Sequence, residues 1–258
     1  MDKKGSIVRF LFVLSMFVTG WLYADQSVAA LSLTTEIAEK QVKHDYSDTS
    51  APDSGALFRG NIGTIIIGAN YSQGRFFSSL NLDQSWKDDV TFLPGDVLLF
   101  LDRIDYALTF GYSIFTGATV FAGYKYGETT ISGVGIASPG ANDLSFIEEG
   151  PFIGMSYSLP VSSKSLLGFS LAYADLDAET ENRIDPLGGS GAGPAEASGT
   201  ADGFSAGVMW SYELSESTLL NIGYKVNSYD AEGTNKASDE YSLKSDYEFI
   251  TFGLRHYF

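Results

Sequence analysis

The chain has 258 residues, no cysteine and a formal net charge of −16. Without cysteine it can form neither disulfides nor thiolate metal sites, and a chain this acidic lacks the basic face that binds nucleic-acid phosphates. Nucleic acid is therefore not an expected partner. No cofactor is expected either, because the sequence has no Walker motif, dinucleotide fingerprint or zinc motif.

The first 24 residues have the layout of a secretory signal peptide. Three basic residues among the first nine form a positive segment, an apolar stretch of about 14 residues runs to Tyr23, and Ala24 precedes polar residues. The apolar stretch is too short for an ordinary membrane-spanning helix. We predict that residues 1–24 are a cleaved signal peptide and that residues 25–258 form the mature domain. Cleavage after Ala30 is the alternative.

Apolar residues alternate with small or polar residues along most of the remaining chain, which is the period of a β-strand. In one segment Phe204, Val208 and Trp210 share a face, and Ser205 and Gly207 share the other. Outside the signal segment no apolar run approaches the roughly 18 residues of a spanning helix, so a membrane-embedded chain must be a closed barrel. A soluble β-sandwich remains an alternative. It is disfavoured because the non-apolar faces are rich in Gly, Ser and Ala, which suits a lumen.

The alternation predicts about ten strands, with eight or twelve as alternatives. The prediction of the first strand has the least support, because residues 36–43 are also compatible with a helix that plugs or tethers the barrel. The approximate spans are 31–45, 59–72, 75–87, 99–113, 117–130, 148–160, 166–179, 201–214, 218–232 and 246–258.

The connections between these spans are alternately short and long. Short periplasmic turns and long external loops are typical of up-and-down barrels in the outer membrane, and an even strand count puts both ends on the periplasmic side. We predict an all-β fold, a transmembrane antiparallel up-and-down β-barrel. Tight turns are expected at 72–74, 113–117, 161–164 and 215–217, and long loops at 46–57, 87–96, 130–147, 179–201 and 233–244.

The last residues resemble the C-terminal β-signal of bacterial outer-membrane proteins, which ends in an aromatic residue after alternating apolar positions. Gly253, Leu254, His256 and Phe258 carry the resemblance, and His256 departs from it where an apolar residue is commoner. The resemblance is to the porin-like superfamily of Gram-negative outer-membrane barrels and to no single functional branch. It implies insertion by the barrel-assembly machinery into the outer membrane, among its lipid and lipopolysaccharide.

Several charged residues are predicted to point into the lumen. Because unpaired charges in a confined lumen are costly, we expect them to pair into a network. A barrel of about eight strands is filled by side chains and one of about 16 leaves a channel, so ten strands favour a plugged lumen over a narrow selective pore. The residues are Arg103, Asp105, Lys125, Glu213, Lys225 and Arg255.

Carboxylates are concentrated around the end of the seventh predicted strand, where we expect an acidic loop. Oxygen-rich loops can bind Ca²⁺ or bridge lipopolysaccharide through divalent cations. The spacing does not match an EF-hand, so a solvated acidic loop is the favoured interpretation and a cation site the alternative. The residues are Asp175, Asp177, Glu179, Glu181 and Asp185.

Catalysis at the barrel rim is a third-ranked hypothesis. His44 lies beside Asp45 near the predicted external rim, and a His–Asp pair can activate water or a serine. The string 203–207 matches G-x-S-x-G, but it lies within an alternating strand and not in the strand–turn–helix that this motif requires. We therefore assign no catalytic residue. The favoured function is a non-enzymatic envelope structural or narrow porin-like barrel, and the second hypothesis is an external-loop adhesin or ligand-binding barrel.

Overall fold

The computed structural model describes residues 29–48, 56–87, 89–93, 97–135, 141–183, 197–235 and 240–258. The predicted signal peptide at 1–24 lies outside these residues, and Ala30 is the second residue of the first strand. No helix in the described part of the chain is long and apolar enough to cross a membrane.

The described residues form one antiparallel sheet that closes into a barrel. β4 continues β3 along the same neighbour, β5, so the eleven strand segments make a wall of ten strands, and the β3–β5 pairing closes the ring. The predicted fold class and strand number are confirmed. The strands are β1 (Ala29–Asp48), β2 (Ala56–Gln73), β3 (Phe76–Lys87), β4 (Asp89–Leu93), β5 (Val97–Phe115), β6 (Ala118–Gly135), β7 (Ala141–Ser162), β8 (Ser165–Arg183), β9 (Ala197–Ser215), β10 (Thr218–Asn235) and β11 (Glu240–Tyr257).

The first strand is part of the barrel wall. Ile37 of β1 lies opposite Ile65 of β2 on one side and opposite Phe252 of β11 on the other. The helical alternative for residues 36–43 is therefore wrong. The first and last strands pair with each other, and the backbone N–H of Phe258 donates to the carbonyl of Leu31 at 3.0 Å.

Four two-residue turns connect the strands at one end of the barrel, which we call the turn end. They follow β2, β5, β7 and β9, so the predicted tight turns are confirmed. Gly74 and Gly117 have φ of 59° and 84°, a region that glycine adopts without steric cost. At the opposite end the strands run further than predicted. For example, β8 reaches Arg183 and β7 begins at Ala141, so the long connections are shorter than expected.

The wall is longer than a bilayer requires. Nine of the strands have 18 to 22 residues, whereas about 9 to 11 residues cross a membrane in a tilted strand. The additional residues form a second section with the opposite arrangement of polar and apolar side chains.

This reversal is visible along β1. In residues 29–38 the exposed outward positions include Leu33 and Ile37, and the buried inward ones include Ser32 and Thr34. From Glu39 onward the outward positions are polar, while the inward residues Val42 and His44 are buried. We call the part with an apolar outer surface the membrane section and the part beyond it the outer section.

β11 reverses at the same level. Ile250, Phe252 and Leu254 are exposed on the outward face of the membrane section, whereas Glu248 and Lys244 are the exposed outward residues beyond them. Outward tyrosines mark the boundary, as in the aromatic girdles of membrane barrels. The hydroxyl groups of Tyr126 and Tyr224 donate to Glu128 and Glu248 at 2.7 and 3.1 Å.

The interior of the outer section is an apolar core like that of a soluble barrel. Burying a large apolar side chain contributes about 1.5–3 kcal/mol, so this core is a substantial source of stability. It comprises Val42, Ile62, Leu101, Ile131, Phe146, Ala174, Leu176, Ala178, Ala197, Ala201, Tyr229, Ala231, Tyr241, Leu243, Tyr247 and Phe249.

Candidate functional site in the lumen

A layer of ionised side chains lies in the lumen below the apolar core. At its β1 side Lys40 is fully buried, and its Nζ lies 2.5 Å from Asp83 Oδ2 and 2.8 Å from Asp105 Oδ2. The two aspartates face each other across β3 and β5. A single lysine thus joins two carboxylates that would otherwise repel each other.

Arg103 holds the centre of the layer. Its Nε and Nη2 donate to the two oxygens of Asp105 at 2.9 and 2.6 Å, which is the bidentate geometry of strong guanidinium–carboxylate pairs. Its Nη1 donates to Thr129 Oγ1 at 2.5 Å, and Nη2 lies 3.7 Å from Glu148 Oε2. The guanidinium is therefore fixed from three sides.

Glu148 connects this centre to the opposite wall. Lys125 Nζ lies 3.8 Å from Glu148 Oε2, and the hydroxyl of Tyr247 donates to Glu148 Oε1 at 3.1 Å. The network therefore contains side chains of β1, β3, β5, β6, β7 and β11, and crosses the lumen from one wall to the other.

The lower surface of the apolar core is aromatic and covers the cations. The Arg103 guanidinium lies 4.1 Å from the Tyr247 ring and Lys125 Nζ 4.0 Å from the Tyr229 ring. Phe249 lies between two lysines, with Lys40 Nζ at 5.0 Å and Lys225 Nζ at 5.9 Å from its centroid. Cation–π attraction strengthens where water is excluded, so the core and the charged layer stabilise each other.

The structure places the six predicted lumen residues in different roles. Arg103, Asp105 and Lys125 belong to the network, and Lys225 faces the lumen beside it. Arg255 Nε instead donates to Thr34 Oγ1 at 3.3 Å. Glu213 is half-buried on β9 and makes no ion pair with any described residue.

Three charged members of the network were missed from the sequence: Lys40, Asp83 and Glu148. All three are charged residues on the inward face of their strands. Assigning every residue of each strand to the inward or outward face could therefore have found them. Lys40 lies in the segment that was also compatible with a helix. Glu148 is the first residue of its predicted strand, whereas the observed strand begins seven residues earlier, at Ala141.

His44 is not at an exposed rim beside Asp45. Neighbouring residues of a strand point to opposite faces, so Asp45 is exposed outside while His44 is fully buried inside. The His44 ring stacks on Phe146 at 4.7 Å, and its Nδ1 lies 2.9 Å from Ser245 Oγ. The predicted His–Asp pair is wrong, and the buried histidine packs against the apolar core.

The G-x-S-x-G string at 203–207 lies within β9, in a strand context. Its Ser205 hydroxyl donates to Asn227 Oδ1 at 2.6 Å. The serine is thus part of the polar lumen lining, and no histidine contacts it among the described residues.

The predicted acidic loop is wrong because most of its residues belong to a strand. Asp175, Asp177, Glu179 and Glu181 alternate along β8 on its outward face, opposite the buried inward residues Ala174, Leu176 and Ala178; Asp185 lies outside the described residues. Within the described ranges no group of three or more His, Asp or Glu side chains is placed to hold a metal ion. The acidic surface belongs to the outer section.

The C-terminal segment forms an outward apolar row on β11. Leu254 and Phe258 are exposed on the membrane section, and His256 accompanies them with its Nδ1 3.1 Å from Thr218 Oγ1. Gly253 faces inward, where a Cβ would lie 2.4 Å from the carbonyl oxygen of Thr35. Glycine therefore permits close pairing of β11 with β1 at the closing seam.

Comparison with known proteins agrees with this geometry. No family model matches the chain, and no curated protein matches it. Among solved structures it is similar to the outer membrane protease OmpT from Escherichia coli, at 12% identity and TM-score 0.59, covering 89% of this chain and 96% of that one. The fold is that of a bacterial outer-membrane β-barrel.

Two further solved structures are similar to the chain at lower TM-scores. The translocator domain of autotransporter NalP from Neisseria meningitidis has 12% identity and a TM-score of 0.45, covering 97% of each chain. Neisserial surface protein A has 12% identity and a TM-score of 0.36, covering 86% of this chain and 96% of that one.

Proposed function

We propose that this chain is a non-enzymatic outer-membrane protein with a structural role in the envelope, and that its barrel is sealed to solutes. In this proposal the chain is exported by its signal peptide, inserted by the barrel-assembly machinery, and surrounded by outer-membrane lipid and lipopolysaccharide. The turn end faces the periplasm and the outer section projects from the cell.

The observation that carries the proposal is that the lumen is obstructed at two successive levels. The ion-pair layer joins opposite walls through Lys40, Arg103 and Glu148, and the apolar core fills the space above it. A solute would have to break buried ion pairs, each costly to disrupt, and then cross close-packed apolar side chains. The narrow-pore alternative therefore has less support than a sealed barrel.

Conductance in planar lipid bilayers tests the proposal. The purified barrel is expected to show no steady conductance, and stable channels of uniform size would overturn the proposal. A variant with Phe146→Ala and Tyr247→Ala removes two core side chains above the charged layer and is expected to open intermittently. The matched control is Phe169→Ala with Phe204→Ala on the outward face, which is expected to stay closed.

A second candidate function, an adhesin or ligand-binding barrel, is supported by the height of the outer section. On β1 this section spans residues 39–48, which at 3.3 Å per residue and a tilt of about 40° rises about 25 Å. The far ends of the strands would thus be held clear of the membrane surface. Replacing residues 184–196 with a short turn should abolish binding of cells to a host surface if this candidate is correct, and leave barrel assembly intact.

A further inference from the structure

Lys225 is a lumen cation that the ion-pair network leaves without a carboxylate. It shares the inward face of β10 with Asn221, Asn227 and Tyr229, which are all buried. Lys225 itself is exposed although the barrel wall surrounds it. Its surface therefore borders open space inside the lumen.

The charges of the layer do not cancel. Lys40, Arg103, Lys125 and Lys225 supply four positive charges, and Asp83, Asp105 and Glu148 supply three negative ones. The first three cations each form an ion pair, whereas Lys225 forms none with any described residue; it lies 5.9 Å from the Phe249 ring. One positive charge is left over, and it resides on the exposed lysine.

Other inward charges do not neutralise it. Glu36 and Arg255 lie nearer the turn end on β1 and β11, where they contribute one charge of each sign. Gly207 on β9 is the register partner of Lys225. Glu213 lies six residues further along β9, a distance of about 20 Å along the strand. The excess charge is therefore local to Lys225.

The wall beside Lys225 is lined by small residues. Gly207 lies directly opposite Lys225, and Ser170 lies opposite Gly207 on the next strand and is exposed. Two residues closer to the turn end on β8, a Cβ added to Gly168 would meet no atom nearer than 3.7 Å. The lumen is therefore open on this side, below the layer that closes it above.

We propose that Lys225, with Gly207 and Ser170, forms a binding site for a small oxyanion, reached from the turn end of the barrel. An uncompensated ammonium in a cleft with low-dielectric walls concentrates anions. The Ser170 hydroxyl and the lysine ammonium can donate hydrogen bonds, and carboxylate and phosphate oxygens accept them. This site goes beyond the sealed-barrel proposal, because binding at one open end does not require passage.

Calorimetric titration of inorganic phosphate into the folded barrel in zwitterionic detergent at low salt tests the site. The wild-type barrel is expected to bind saturably at one site. Lys225→Met, which removes the charge and keeps most of the side-chain length, should weaken binding at least tenfold, and Lys225→Arg should retain it. The matched control is Lys164→Met, which removes an exposed lysine in a tight turn outside the lumen and should leave binding unchanged.

Wild-type barrel without saturable binding, or a Lys225→Met barrel that binds as the wild type does, would overturn the site. If Lys225→Met does not fold, Ser170→Leu provides the same test, because it fills the open space and leaves the charge in place. Unchanged binding in Ser170→Leu would equally overturn the site. Conductance is measured separately, so failure of this site and failure of the sealed-barrel proposal are distinguishable.

Discussion

Tyr247 contacts both charges of one buried ion pair. The Arg103 guanidinium lies 4.1 Å from its ring centroid, and its hydroxyl donates to Glu148 Oε1 at 3.1 Å. A single side chain on β11 therefore couples the apolar core to the charged layer, and this coupling makes the first prediction.

Tyr247→Phe should lower the free energy of unfolding by about 1–3 kcal/mol, because it leaves a buried carboxylate oxygen without its donor. Urea unfolding in detergent, followed by tryptophan fluorescence, measures the change. The control is Tyr224→Phe, since the Tyr224 hydroxyl makes the same 3.1 Å bond to a carboxylate, Glu248, on the exposed face. Equal losses in both variants would contradict the proposed coupling.

Lys40→Met should destabilise the barrel by about 3–5 kcal/mol, because it leaves two facing carboxylates buried without their cation. The same unfolding assay applies. Lys43→Met is the matched control on the same strand, as Lys43 is half-exposed and lies 3.8 Å from Asp246, and its loss should cost less than about 1 kcal/mol. Adding Asp83→Asn to Lys40→Met should recover part of the loss, and a double variant no more stable than the single one would argue against carboxylate repulsion.

Glycines against which a neighbouring backbone or aromatic side chain packs closely should not tolerate an added methyl group. A Cβ at Gly123 would lie 2.2 Å from the carbonyl oxygen of Leu108 and 2.5 Å from the Phe152 ring. Gly123→Ala is therefore expected to cost about 1–3 kcal/mol through displaced backbone and side chain. Gly168→Ala, where the nearest atom is at 3.7 Å, should be neutral within about 0.5 kcal/mol. Similar behaviour of the two variants would refute this view of the packing.

The absence of cysteine allows the level of the bilayer to be mapped by single-cysteine variants. A water-soluble maleimide should label Gln41→Cys rapidly in liposomes and Ile37→Cys very slowly, although both face outward on β1. The control for the intrinsic reactivity of each cysteine is labelling of the lipid-free protein unfolded in urea, where both sites are exposed. Rapid labelling at both positions in liposomes would place the membrane elsewhere.

The fold could be predicted from the sequence because the period of two and the alternately short and long connections are local signals. The outer section could not, because its apolar residues change face in mid-strand. On β1 they shift from Leu33 and Ile37 outside to Val42 inside, and this phase change breaks the alternation and imitates a helical period. On β8 the same shift, from Tyr173 outside to Leu176 inside, gave the acidic end of the strand the appearance of a loop.

The lumen was predicted in part for a related reason. The alternation along a single strand shows which of its charged side chains point inward, and Arg103, Asp105 and Lys125 could be found in this way. Their partners depend on strand register and on contacts across the barrel, such as that between Tyr247 and Glu148, which are 99 residues apart. Such contacts have no local sequence signal.

The reversal of surface polarity between Ile37 and Glu39 also fixes how deeply the barrel can sit in its bilayer. If the barrel sank, the charged rows of the outer section would enter hydrocarbon, and if it rose, the exposed isoleucine, leucine and phenylalanine side chains would enter water. A mismatch in thickness therefore has to be absorbed by the surrounding lipid, which must thin or thicken around a protein that keeps its height.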